Sequence, residues 1–119
     1  MLVENLRVYK KLCKLAIKVH NLTMTFPKYE MYELGSQLRR SSNSIPANLA
    51  EGFGNKHTNI YTESISRAQG ELRETSHHLK MAFRKGYIAE EELRKLIKEY
   101  TKCSKMLYRL ERSLVRRRR

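Results

Sequence analysis

The sequence predicts an all-α protein, an up-and-down antiparallel four-helix bundle, on three observations. Apolar residues recur in four runs at alternating steps of four and three, the spacing that keeps one helix face against a bundle core. No run alternates with the period of two that a strand requires. The breaks between runs are short and carry helix-stopping residues, Pro27, Gly52 with Gly54, and Gly86, so neighbouring helices should run antiparallel.

The first run, from about Glu4 to Met24, places Val8, Leu12, Leu15, Val19 and Leu22 on one face, with Tyr9, Cys13 and Ala16 widening it. The pattern then breaks at Thr25 to Lys28. Pro27 suits a first helical turn, and Glu30 is placed to favour the positive end of the next helix. The second run, Leu34, Leu38, Ile45, Leu49 and Phe53, passes through Pro46, which has no N–H to donate to the Ser42 carbonyl one turn back. A bend is expected there, with Ser42, Ser44 or a facing helix supplying the missing donor. The third run repeats Tyr61, Ile65, Ala68, Leu72, Thr75, Leu79 and Ala82 without a slip, and Thr58 or Asn59 is the expected N-cap. The fourth opens on Glu90, Glu91 and Glu92, which suit a helix N-terminus, and continues through Leu93, Leu96, Tyr100, Cys103, Leu107, Leu110 and Leu114. One domain over 1–115 and a basic tail, Arg116 to Arg119, account for all 119 residues.

Composition narrows the function. There are 25 Lys plus Arg against 12 acidic residues, all of them Glu, and the net charge of +13 points to a polyanion partner or an anionic surface. The absence of Asp removes a side chain widely used for magnesium sites and buried catalytic acids. No stretch has the apolar run of a signal peptide or a membrane span, so a soluble cytoplasmic protein without a membrane role is expected. Cys13 and Cys103 fit no zinc or redox spacing and are expected to be reduced thiols serving as small core residues.

The charge is organised. On the fourth helix Lys95, Lys98, Lys102, Lys105, Arg109 and Arg112 recur at steps of three and four, opposite the leucine face, and Arg116, Arg117, Arg118 and Arg119 extend the row. Arg7, Lys11, Lys14 and Lys18 form a comparable row on the first helix, with Lys10 near it. Such rows can be solvated faces, with Glu99 and Glu111 pairing locally. Surface pairs of that kind contribute only about 0.3–0.5 kcal/mol each, too little to account for so one-sided a row. Phosphate contact with counterion release is the favoured reading, and no zinc finger or aromatic sheet signature implies base-specific recognition.

On the second helix a polar row, Gln37, Ser41, Ser44, Asn48 and Glu51, runs beside the apolar one. Either it satisfies backbone groups and pairs with Arg39, Arg40 or Arg67, or it lines a pocket or channel; the structural role is favoured. Glu74 with His77 or His78 has the helical spacing of a ligand pair, and Glu71 lies one turn earlier. A dinuclear carboxylate bundle needs that pair on two helices, and this chain has it once. No nucleophile–base motif or phosphate-binding glycine loop is present. A protein without enzymatic activity, metal or cofactor is expected.

The segment FPKYEMYELGSQLRRSSNSIPANLAEGFGN from Phe26 to Asn55, AQGELRET from Ala68 to Thr75, and GYI from Gly86 to Ile88 resemble the four-helix-bundle proteins first noticed as products of intervening sequences in bacterial 23S rRNA genes. The family motif falls on Gln37, Arg39, Arg40, Ser44, Pro46, Asn48, Glu51 and Gly52, in a structural role. The resemblance implies a left-handed bundle that assembles in relatives as a homopentamer with a central channel. A related branch comprises the accessory proteins of diversity-generating retroelements, basic bundles that associate with nucleic acid and with a reverse transcriptase. The expected function is therefore an oligomeric basic bundle that binds RNA or DNA through phosphates, with an accessory role beside a nucleic-acid-processing enzyme as its narrower form. A structural or protein-interaction module is the alternative.

Overall fold

The computed structural model describes residues 1–117, with side chains as far as Arg116. Four helices follow one another, α1 Arg7–Thr23, α2 Leu34–Gly52, α3 Thr58–Arg84 and α4 Glu90–Arg117, after a short 3-10 turn at Val3–Asn5. They form an antiparallel bundle measuring 50 × 24 × 21 Å, with no strand among the described residues. The basic residues expected to form a tail are helical as far as Arg117, while Arg118 and Arg119 lie outside the described residues.

The four-three stripes meet in one core. Leu12, Val19, Leu38, Ile45, Leu49, Ile65, Leu79 and Leu107 are fully shielded, and each large aliphatic side chain so buried contributes roughly 1.5–3 kcal/mol. Leu22, Phe53 and Leu93, at the ends of their stripes, and Leu110, next to the last of its own, are only partly covered. Cys103 is buried as expected, but Cys13 is half-buried and faces a groove between α1 and α2. Burial pushes the Cys103 thiol up to about 11.

Each connection has a local cause. Pro27 stands one residue outside the first helical turn, a 3-10 turn at Lys28–Glu30, and α2 starts only at Leu34. Glu30 is buried: Oε1 accepts from the Leu34 N–H at 3.3 Å, and Oε2 accepts from Lys85 Nζ at 3.0 Å and the Tyr87 hydroxyl at 2.6 Å. The α2–α3 turn is capped differently from expectation. His57 is the N-cap and uses no side chain, while its own N–H donates to Asn55 Oδ1 at 2.9 Å. At the end of α3, Gly86 takes φ 82°, so that the Gly86 N–H reaches the Phe83 carbonyl and the Tyr87 N–H the Ala82 carbonyl, both at 2.9 Å. This is a Schellman cap, and only glycine adopts its left-handed residue at no steric cost.

Helix α2 runs through Pro46 without interruption. The Ser42 and Ser44 hydroxyls donate to the Arg39 and Arg40 carbonyls, at 3.4 and 2.8 Å, so neither replaces the donor that Pro46 withholds from Ser42. Gly52 lets α2 and α3 touch: a Cβ there would lie 2.3 Å from Ser64 Oγ.

Candidate nucleic-acid interface

The motif residues of α2 are architectural where they are engaged. Arg39 donates from Nη1 to Thr23 Oγ1 at 3.0 Å and from Nη2 to the Met31 carbonyl at 2.6 Å, tying α2 to the end of α1 and the connector. Arg40 reaches across to α3, pairing with Glu71 at 3.2 Å and with Glu74. Asn48 donates to the Ser44 carbonyl at 2.8 Å and accepts from Arg67 Nε at 3.3 Å. Ser41 is fully buried and accepts from the Thr75 hydroxyl at 2.8 Å, so a polar pair sits within the α2–α3 packing. The side chains of Gln37 and Glu51 are exposed and make no hydrogen bond or ion pair among the described residues. The polar row is thus used in its middle and open at its ends.

That arrangement also occupies Glu71 and Glu74 of α3. Partial burial opposes the charged form of Glu74, but the Arg40 contact and then His78, with Nε2 at 3.3 Å, outweigh it and hold the carboxyl below its usual range. Among the described residues no group of three or more His, Cys, Asp or Glu is placed to hold a metal ion. Among those residues no helix is long and apolar enough to cross a membrane.

The cationic rows lie on α1 and α4, two helices that pack against each other. The α1 row flanks the core stripe rather than opposing it and faces a groove against α4, lined by Arg7, Lys10, Lys11, Lys14 and Lys18 together with Glu99. The α4 row, Lys95, Lys98, Lys102, Lys105, Arg109, Arg112 and Arg116, is exposed along its length. Arg117 continues the helix, and its side chain lies outside the described residues, as do Arg118 and Arg119.

Three of these cations are less available than the sequence spacing implies. Lys11 is half-buried and 3.6 Å from Glu99, Lys102 is 3.2 Å from the same carboxylate, and Lys95 is 3.3 Å from Glu91. Lys102, against the cost of burial, and then Lys11 hold the Glu99 carboxyl below its ordinary value. Arg7, Lys10, Lys14, Lys18, Lys98, Lys105, Arg109, Arg112 and Arg116 carry no ion pair among the described residues. A second groove, between α3 and α4, brings Arg73 to Lys105 and Arg109 around Tyr108. The sequence reading missed Arg73 and Tyr108. The available signal was that Tyr108 falls off the apolar stripe of α4, among cations at neighbouring helical positions.

The sequence profile described as 23S rRNA-intervening sequence protein matches residues 4–109, nearly the whole bundle. The chain belongs to this family. Among solved structures, this intervening-sequence protein is similar to one from Bacteroides thetaiotaomicron, described as a protein with unknown function from the S23 ribosomal protein family. The TM-score is 0.76 at 25% identity, over 87% of this chain and 97% of that one. No curated protein sequence matches it.

Proposed function

We propose that this intervening-sequence protein is a non-enzymatic, cytoplasmic bundle that binds RNA or DNA through phosphate contacts. The observation that carries the reading is the set of exposed cations on α1 and α4 without a carboxylate partner. Arg7, Lys14 and Lys18 lie at one groove, and Lys98, Lys105, Arg109 and Arg112 lie along the outer face of α4. Like charges held together on a folded surface repel one another, and a polyanion relieves the repulsion while releasing its own counterions. The working assembly of this reading is a homo-oligomer, a homopentamer by resemblance to family relatives, and the narrower form, related to the accessory proteins of diversity-generating retroelements, adds a reverse transcriptase as partner. Self-association has its own support in the α1–α2 groove, where Ile17 is 64% exposed beside Ala16 and Cys13. A repeated basic face would turn weak contacts into avid ones.

The test is a salt series of binding to ribosomal RNA fragments and to duplex DNA, with a Lys14→Glu, Lys18→Glu, Lys98→Glu variant as the comparison. Binding that weakens with salt and collapses in the variant supports the reading. Absence of binding at low salt, or a variant that binds unchanged, removes it. Capture of one acidic protein from nuclease-treated lysate would favour the protein-interaction alternative.

A further inference from the structure

We propose that the α3–α4 groove is a stacking site for an unpaired nucleobase, with Tyr108 as the platform and Arg73, Lys105 and Arg109 as phosphate clamps. This deepens the phosphate-binding reading and rests on it, but it makes a different demand: the preferred ligand is single-stranded.

Helix α4 carries two tyrosines, and their fates differ. Tyr100 lies on the apolar stripe and is 1% exposed, whereas Tyr108 lies off it and is 56% exposed. Among the described residues the Tyr108 ring makes no aromatic contact and its hydroxyl no hydrogen bond, so no packing role accounts for it. Its neighbours are cationic. Lys105 stands one turn before it, Arg112 one turn after and Arg109 beside it, and Arg73 reaches the same groove from α3.

The groove has a size and a floor that suit a base. It is an open groove of about 650 Å³, comparable in volume to the roughly 300–1,000 Å³ of small-ligand sites. Its floor is fixed by a reciprocal bridge between the helices. Ser104 Oγ donates to Gln69 Oε1 at 2.8 Å, and Gln69 Nε2 donates to the Ser104 carbonyl at 2.9 Å. Glu111 lines the groove as well and pairs with no described cation. As an acceptor it suits an exocyclic base amine rather than a phosphate.

An aromatic face among cations is the general solution for single strands, because every base presents a π face while the backbone phosphates follow the positive charges. A duplex offers the phosphates but keeps its bases stacked on one another, and extruding one costs a few kcal/mol. Phosphate contacts alone would not separate the two ligands; Tyr108 does.

The experiment measures binding of a single-stranded RNA oligonucleotide and a blunt RNA duplex of the same length, at fixed salt, to the full chain and to Tyr108→Ala and Tyr108→Phe. Tyr108 is exposed, so helicity by circular dichroism should be unchanged. Tyr108→Ala is expected to lose roughly 5- to 150-fold on the single strand and little on the duplex, the range that base–aromatic stacking provides. Tyr108→Phe should keep the affinity. Equal affinity of the native protein for both ligands with no loss in Tyr108→Ala overturns this inference and leaves the phosphate reading intact. Equal losses on both ligands, or a Phe variant as weak as Ala, also overturn it. If the native protein binds neither ligand at low salt, both readings fall together.

Discussion

The Tyr87 hydroxyl donates to Glu30 Oε2 at 2.6 Å, joining the connector that precedes α2 to the turn that precedes α4. Lys85 adds a second contact at 3.0 Å, and Phe26 packs at a tilt against the Tyr87 ring with centroids 5.3 Å apart. The carboxylate therefore ties the first and third interhelical connections together at one end of the bundle. The Tyr87 hydrogen bond first, and the Lys85 one second, hold the Glu30 carboxyl below its ordinary value against the cost of burial. A carboxyl depressed in the folded state contributes stability above its unfolded pKa, about 4.3 for Glu, and loses it as pH falls through the folded value. Urea midpoints should fall as the native protein is acidified from about pH 4.3 downward. Glu30→Gln should lower the midpoint at neutral pH and flatten that acid limb. An acid limb of the same steepness in the variant would assign the effect to other carboxylates.

Gly52 and Ser64 define how close α2 and α3 come. A Cβ at position 52 would stand 2.4 Å from Ser64 Cβ as well as 2.3 Å from its Oγ, so Gly52→Ala forces the helices apart. A loss of roughly 1–3 kcal/mol is expected, the usual range for overpacking. Removing the opposing side chain should restore much of it. The double variant Gly52→Ala, Ser64→Gly is expected to be more stable than the sum of the single effects predicts, and chemical denaturation of the four-member cycle measures that coupling. Additive losses would mean that the backbones move apart without resistance.

The two thiols should react differently. Cys13 is half-buried at the α1–α2 groove, while Cys103 is fully buried with its thiol pushed up to about 11. Thiolate is the reactive form, so one thiol per chain is expected to label in the native protein and the second only on unfolding. Two native thiols reacting at equal rates would contradict the packing of α4.

Salt dependence separates paired cations from unpaired ones. Each phosphate contact to a single strand adds about 0.7 to the slope of log affinity against log salt. Lys98→Ala, at an unpaired position, should reduce the slope by about that amount, whereas Lys95→Ala should reduce it less because Glu91 already holds Lys95 at 3.3 Å. Fluorescence anisotropy titrations over a salt series would read the difference.

The stripes of the four helices were legible because burial follows a fixed angular period, and the third stripe from Tyr61 to Ala82 is buried at every position the spacing named. The motif on α2 was legible as a motif, but its pairings were not. Thr75 and Ser41 are 34 residues apart, and Glu30 lies 55 and 57 residues from Lys85 and Tyr87. Periodicity puts a residue on a face and says nothing about which distant side chain meets it there. The same limit applied to charge. The spacing named the basic rows and let Glu99 pair locally with Lys102 on α4, yet only the packing of α1 on α4 brought Lys11 to the same glutamate. Tyr108 went unread for a related reason: an aromatic off the stripe has meaning only once the facing groove is known.

The junction between α1 and α4 has a mechanical side. Lys11–Glu99 is the ion pair that crosses it among the described residues, whereas α2 and α3 are fastened by Arg40, Ser41 and the Gly52 approach. A chain pulled from its C-terminus would shed α4 first, like a loose stave, and leave the α2–α3 hairpin closed. The same edge is lined with positive charge from α1. An anionic strand lying over it would act as a hoop around the barrel, and the force needed to lift α4 would report that the hoop is in place.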